Sequence, residues 1–212
     1  PGRTVRGADD PRLGRIDAVL LSHVHSDHLG DMHQSKANAG SCGTPDFSVQ
    51  ATPTSNTVNI AVGKKAALIV GGEMANFFAK KVAAAGGDAK QVRLVRFGAA
   101  HEVGGISIAS VPAVHSNGLS PVFLESEHAA ALEVSGLTAY VGPPGGYVVR
   151  FSNGLTVYLS GDTGITAEQD LVVRQHYRPA LVVLNIGGTF TTGPAEAAYV
   201  INELVRPRAV IP

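Results

Sequence analysis

Four side chains of metal-ligand type, His23, His25, Asp27 and His28, fall within six consecutive positions, and the apolar run Ile16 to Leu21 leads straight into them. No other feature limits so sharply what this chain can fold into. Side chains two apart in an extended chain point the same way, so His23 and His25 can grip one cation. The turn that follows can swing Asp27 and His28 to a second position. Imidazole and carboxylate suit zinc, iron or manganese. One ion does not need so many ligands so close in sequence, whereas two ions roughly 3.5–4 Å apart would use them. The competing reading is a polar turn with incidental histidines. It leaves imidazoles that repel one another when charged and cost desolvation when neutral and unpaired. A metal removes both problems.

The rest of the chain supplies a frame for such a site. Short β-branched runs alternate with helical stretches, which argues for an α/β class. Strands are expected at Ala66 to Val70, Gln91 to Phe97, Ile106 to Val111, Leu181 to Ile186 and Arg208 to Ile211. Tyr147 to Phe151 and Leu155 to Leu159 flank Ser152-Asn153-Gly154, a hairpin signal. Gly142-Pro143-Pro144-Gly145-Gly146 reads as a breaker ahead of that hairpin. Helices are expected over Glu73 to Ala85, Glu125 to Val134, Ala167 to Tyr177 and from Pro194 to Val205. Residues 34–63, rich in Ser, Thr, Asn, Gly and Ala, read as mostly loop.

His23, His115 and Asp162 each lie just past an expected strand, and strand ends converging on one edge of a sheet are where scaffolds present reactive groups. Asp162 in the Gly161-Asp162-Thr163-Gly164 turn can bridge two cations with its two oxygens. Alone it would read as an Asx turn; beside the histidine motif the metal reading wins. His115 alone would be a surface residue, and it becomes a ligand candidate because the first site otherwise has only two imidazoles. His33, His101, His128 and His176 lack ligand partners in sequence and are expected to face solvent.

Composition narrows the function classes. Lys+Arg and Asp+Glu both number 17, so a neutral chain gives no broad electrostatic reason to bind nucleic acid or an anionic membrane. At 212 residues and 44% hydrophobic, one globular domain over residues 1–212 is expected. The single cysteine, Cys42, makes neither an internal disulfide nor a cysteine metal cluster. No apolar run approaches a membrane span. No Gly-x-Ser-x-Gly motif offers a competing nucleophile. The compartment stays open: the cytoplasm is the default, and an export signal ahead of Pro1 is compatible with the sequence.

The run His23-x-His25-x-Asp27-His28-Leu29-Gly30-Asp31, followed in order by His115 and by Ser160-Gly161-Asp162-Thr163, resembles the metallo-β-lactamase superfamily. The stretch Asn185 to Ala198 and the closing Arg206 to Pro212 resemble, within it, the branch that contains the bacterial ascorbate-phosphate lactonase and many metal-dependent hydrolases. The resemblance implies an αββα sandwich with the metals at one edge. It implies that His23, His25 and His115 hold the first ion, that Asp27 and His28 hold the second, and that Asp162 bridges. It also implies first strands upstream of Gly14 and a last metal-binding histidine beyond Pro212, so the chain is expected to be a fragment of a longer protein.

The expected chemistry is hydrolysis by a bridging hydroxide in a site of two divalent ions, zinc first and manganese next, with Asp27 and Asp162 as the catalytic carboxylates. The substrate is expected to be a small molecule, a lactone, ester or amide, because residues 34–63 and 118–146 carry few Lys or Arg. A phosphodiesterase and an iron-dependent redox member of the superfamily are the alternatives. No nucleic-acid partner is expected, and the oligomeric state does not follow from the sequence.

Overall fold

A computed structural model describes residues 14–29, 57–124 and 127–212. Strand β1 (Ala18–Leu21) leads into the one-turn helix α1 (Ser26–Leu29), which is followed among the described residues by α2 (Thr57–Lys64), β2 (Ala67–Val70), α3 (Met74–Ala84) and β3 (Val92–Leu94). Then come β4 (Ala100–Val103), β5 (Ile106–Pro112), β6 (Gly118–Leu119), α4 (Glu127–Val134), β7 (Ala139–Tyr140), β8 (Gly145–Arg150), β9 (Thr156–Leu159), β10 (Leu181–Val183), α5 (Pro194–Tyr199) and β11 (Ala209–Ile211).

Two sheets carry the fold. One is parallel, in the order β1-β2-β3; the other has six strands, β11-β10-β9-β8-β5-β4. Within the larger sheet β9, β10 and β11 run parallel, while β8 and β5 pair antiparallel with their neighbours.

Period-two alternation explains why the sheets stack between helices. Leu21, Leu68 and Val70 face outward into a core with Met74, Phe78 and Val82 of α3. The alternate residues Ala18, Leu20, Ala67 and Ile69 face the second sheet, where they meet Ile108, Tyr147 and Val149. The other face of that sheet, Ala109, Val111, Val148, Tyr158 and Val182, packs on Val173, Ala197, Val200 and Val205. Three apolar layers between four structural layers give the expected αββα sandwich. The Tyr147 hydroxyl clasps the two sheets, donating to the Leu21 carbonyl at 2.7 Å with the Ile69 carbonyl 3.1 Å away. Burial pushes the Tyr147 phenol pKa well up, so it stays a donor.

Several expectations need correcting. Thr57–Lys64 is helical, not loop: Val58, Ala61 and Val62, at i, i+3 and i+4, pack against the core beneath the first sheet. Residues 34–56 of that stretch, and Cys42 with them, lie outside the described residues. Gly145 and Gly146 do not break the chain but begin β8. A Cβ on Gly146 would lie 2.7 Å from the Leu159 and Ser160 carbonyl oxygens, so only glycine lets β8 pass there. The strand expected to Ile186 ends at Val183, because Asn185 turns to side-chain bonding. That expected over Gln91 to Phe97 forms a strand only at Val92–Leu94, with Phe97 making a single bridge to Ser110. Helical segments appear at Gln169–Tyr177 and, after α5, at Val200–Val205, both with wide turns. In each the closing arginine, Arg178 or Arg206, is left-handed and its N–H reaches back to Val173 or Ile201.

Candidate metal centre

Three strand ends meet at one rim: the turn after β1, the loop after β5 and the loop after β9. Their contact is close enough to require glycine, since a Cβ on Gly161, whose φ is +60°, would lie 2.8 Å from Ser22 Cβ. His23, fully buried, turns its Nε2 to within 3.1 Å of His25 Nδ1, and His115 Nε2 lies 3.2 Å from the same His25 nitrogen. On the far side of His23, His28 Nε2 is 3.2 Å from Asp162 Oδ2, which is itself 3.9 Å from His115 Nε2. The donor atoms fall into two groups of three, His23, His25 and His115, and His23, His28 and Asp162, each within 4.8 Å of one another.

The spacing fits ions. With Zn–N bonds of 2.0–2.1 Å, tetrahedral ligands stand about 3.3 Å apart. Ring nitrogens at 3.1 and 3.2 Å match that separation. Without a cation, lone pairs would be turned on one another in a buried space. Burial, and then the neighbouring His28, His25 and His115, lower the His23 pKa from 6.5 to about 3, so its ring is neutral, the form in which an imidazole can ligate a metal. His25 is lowered too, first by burial and then by His115.

Of the six expected ligands, five converge. Asp27 lies at the margin. Its side chain is 74% exposed, and its Oδ2 is 3.4 Å from His28 Nε2, outside both groups of three. Among the described residues, His101 is half-buried in β4, His128 and His176 are exposed, and none of them joins a ligand group. His33 lies outside the described residues.

A polar frame that the sequence reading did not single out holds these rings. The Ser22 hydroxyl is 2.9 Å from His23 Nδ1, which leaves Nε2 for the centre. The Ser116 hydroxyl is 3.3 Å from His25 Nε2, leaving Nδ1. Outer partners of this kind fix ring orientation. Asn117, 4% exposed, accepts from the Val24 N–H at 2.9 Å and donates to the Gly142 carbonyl at 2.9 Å, joining the histidine turn to the β5 loop. The Thr163 hydroxyl accepts from the Val114 N–H at 3.0 Å, joining that loop to the Asp162 turn. Asn185 donates to the Gly161 carbonyl at 2.7 Å and accepts from the Thr192 hydroxyl at 2.7 Å. A hydroxyl directly before the first ligand and an Asn two residues after His115 were the available signals. In front of the rings opens a cleft of about 870 Å³, lined by His25, Asp27, His115 and Asp162 and by apolar side chains including Val122 and Phe190.

Residues 2–212 match the family described as the beta-lactamase superfamily domain, and the chain belongs to that superfamily. It is 31% identical over 204 residues to a protein named metal-dependent hydrolase from Cupriavidus taiwanensis, covering 95% of this chain and 59% of that protein. A second, from Cupriavidus necator, is 32% identical over 200 residues, covering 94% and 58%. The chain thus spans under two thirds of the length of these relatives. Its fold resembles that of a metallo hydrolase from Ignicoccus hospitalis, with a TM-score of 0.62 at 20% identity, covering all of this chain and 70% of that one.

Proposed function

We propose that the chain carries the catalytic centre of a metal-dependent hydrolase that holds two divalent cations, zinc first and manganese next. His23, His25 and His115 hold one ion, Asp27 and His28 the other, and Asp162 spans both. The single observation that carries this reading is the pair of ring-nitrogen contacts at 3.1 and 3.2 Å, with Asp162 Oδ2 within 3.9 Å of His115 and 3.2 Å of His28. When bound, such ions lower the pKa of water from 15.7 to about 7 and polarise the oxygen of the scissile group.

The side chains do the rest. Neutral His23 and His25 present lone pairs without first losing a proton. Asp162 places its carboxylate between His28 and His115, at the centre of the cluster. Asp27, exposed on the cleft, carries a proton to the leaving group. The cleft wall supports a carbonyl substrate, a lactone, ester or amide, over a phosphodiester: among the described residues it holds no Lys or Arg that would meet a phosphate.

Elemental analysis of the protein tests the reading. Close to two zinc or manganese ions per chain, lost in the His23→Ala/Asp162→Ala variant, is the expected result. One iron per chain would favour the redox alternative, and no metal would sink the mechanism.

A further inference from the structure

Phe190 is 81% exposed and Val122 69% exposed, yet both line the cleft in front of the metal ligands. Both sit on hydrogen-bonded backbone. Val122 stands in the short 3-10 turn Pro121–Phe123, closed by the Phe123 N–H on the Ser120 carbonyl at 3.1 Å, and Phe123 packs against the core beneath it. Phe190 tops a turn at whose base the Gly188 N–H donates to the Thr192 carbonyl at 3.1 Å. Thr192 in turn donates its N–H to the Thr163 carbonyl at 3.2 Å, the residue after Asp162. The backbone of the turn that carries the ring is therefore tied to the Asp162 turn, while the ring itself contributes little to the core.

Around these groups the polar lining is uncharged: the hydroxyls of Ser116, Ser120 and Thr138, besides the carboxylates and imidazoles of the centre. Large exposed apolar groups bordering a concave polar site mark where an apolar ligand is covered.

We infer that Phe190 on one side, with Val122 and Phe123 on the other, forms a subsite for an uncharged apolar substituent of several carbons attached to the scissile carbonyl, and that Phe190 sets the preference for its length. This rests on the hydrolase reading above and narrows it: the substrate is a medium-chain or aryl acyl compound, neutral at the end remote from the reacting bond.

The test separates the two readings because it reads binding rather than turnover. Titration calorimetry of the zinc-loaded protein with acetohydroxamate, hexanohydroxamate and octanohydroxamate presents one metal-seeking head on tails of increasing length. A methylene fully covered by protein gains about fourfold in affinity, and one half covered about twofold. Six methylenes separate the shortest tail from the longest, so the affinity is expected to rise by about 60-fold if each is half covered. Phe190→Ala flattens that rise, Phe190→Leu keeps most of it, and a carboxylate at the far end of the octanoyl tail abolishes it. Phe190 is exposed, so neither variant endangers folding. Acetohydroxamate binding with no gain from added length overturns the subsite and leaves the metal centre standing. A protein that takes up no zinc overturns the metal centre and the subsite with it, and zinc-loaded protein that binds no hydroxamate shows that the ion is not reached from this cleft and overturns the subsite.

Discussion

The two halves of the ligand cluster are built differently. The histidine half is anchored on a buried ring and doubly supported: His23 has no exposed surface, the half-buried His25 and His115 border the cleft, and the rings of His23 and His25 each have a serine hydroxyl beside the nitrogen turned away from the centre. The carboxylate half opens to the cleft, with the Asp162 side chain 21% exposed and that of Asp27 74% exposed. Buried rings in fixed orientation give affinity, because no reorganisation is needed when an ion arrives. Exposed carboxylates can move protons and meet substrate. On the function proposed above, the comparison implies that holding the metal and performing chemistry are separable in this rim, and substitutions can test whether they come apart.

The largest effect is expected at His23, the one residue common to both groups of donors. His23→Ala should remove nearly all bound metal in elemental analysis. The loss carries over to stability, since an ion present at 100 times its dissociation constant stabilises the folded state by about 2.7 kcal/mol. Zinc should therefore raise the thermal midpoint of the parent protein and leave that of His23→Ala where it was. A metal-dependent shift that survives in the variant would show that the ions sit elsewhere. Next comes Asn117→Ala, which strands the buried Val24 N–H and the Gly142 carbonyl together. With each orphaned group costing about 1–3 kcal/mol, urea unfolding should report a loss of about 2–6 kcal/mol. A change below 1 kcal/mol would mean the two loops are held in register by something other than this amide.

The sequence displays the ligands but not their frame, for a physical reason. A metal site would need particular atoms, so the side chains that the fold brings together, His23, His25, His28, His115 and Asp162, stand out by residue type, and His23, His115 and Asp162 also by their places just past strands. The frame needs only hydrogen-bonding capacity at the right distance in space. Asn117 meets Val24, and Thr163 meets Val114, across long stretches of chain, and nothing local sets either apart from an ordinary loop residue. The fold behaved similarly. Strands with strict alternation, such as Ile106–Pro112, stood out. The short helix Thr57–Lys64 was hidden by its polar surroundings, and Gly145-Gly146 read as a break because their need, a close strand crossing, is a tertiary one.

Two smaller predictions address the asymmetry directly. Ser22→Ala removes the hydroxyl beside His23 Nδ1 and should weaken metal binding by about 10-fold while changing apo stability by less than about 1 kcal/mol. The readout is competition with a chromophoric chelator, and Ser22→Thr should restore the affinity because it keeps the hydroxyl. A Ser22→Ala variant that loses stability but keeps its affinity would make the serine a packing residue only.

The smallest effect on metal retention is expected at Asp27. Its carboxylate is mostly solvated and lies outside both groups of three, so Asp27→Asn removes a charge that water already screens. Metal affinity should fall by no more than about 10-fold, less than for Asp162→Asn, which takes the shared carboxylate from both sides. Turnover of an ester should fall further than the metal does, because an amide at this position cannot carry a proton to the leaving group. Measuring metal content and hydrolysis in the same preparation decides the matter. If the two fall in proportion, Asp27 acts only by holding the ion, and the division between a metal-holding half and a chemical half is lost. If hydrolysis falls while metal stays, the open side of the rim is where the chemistry is done.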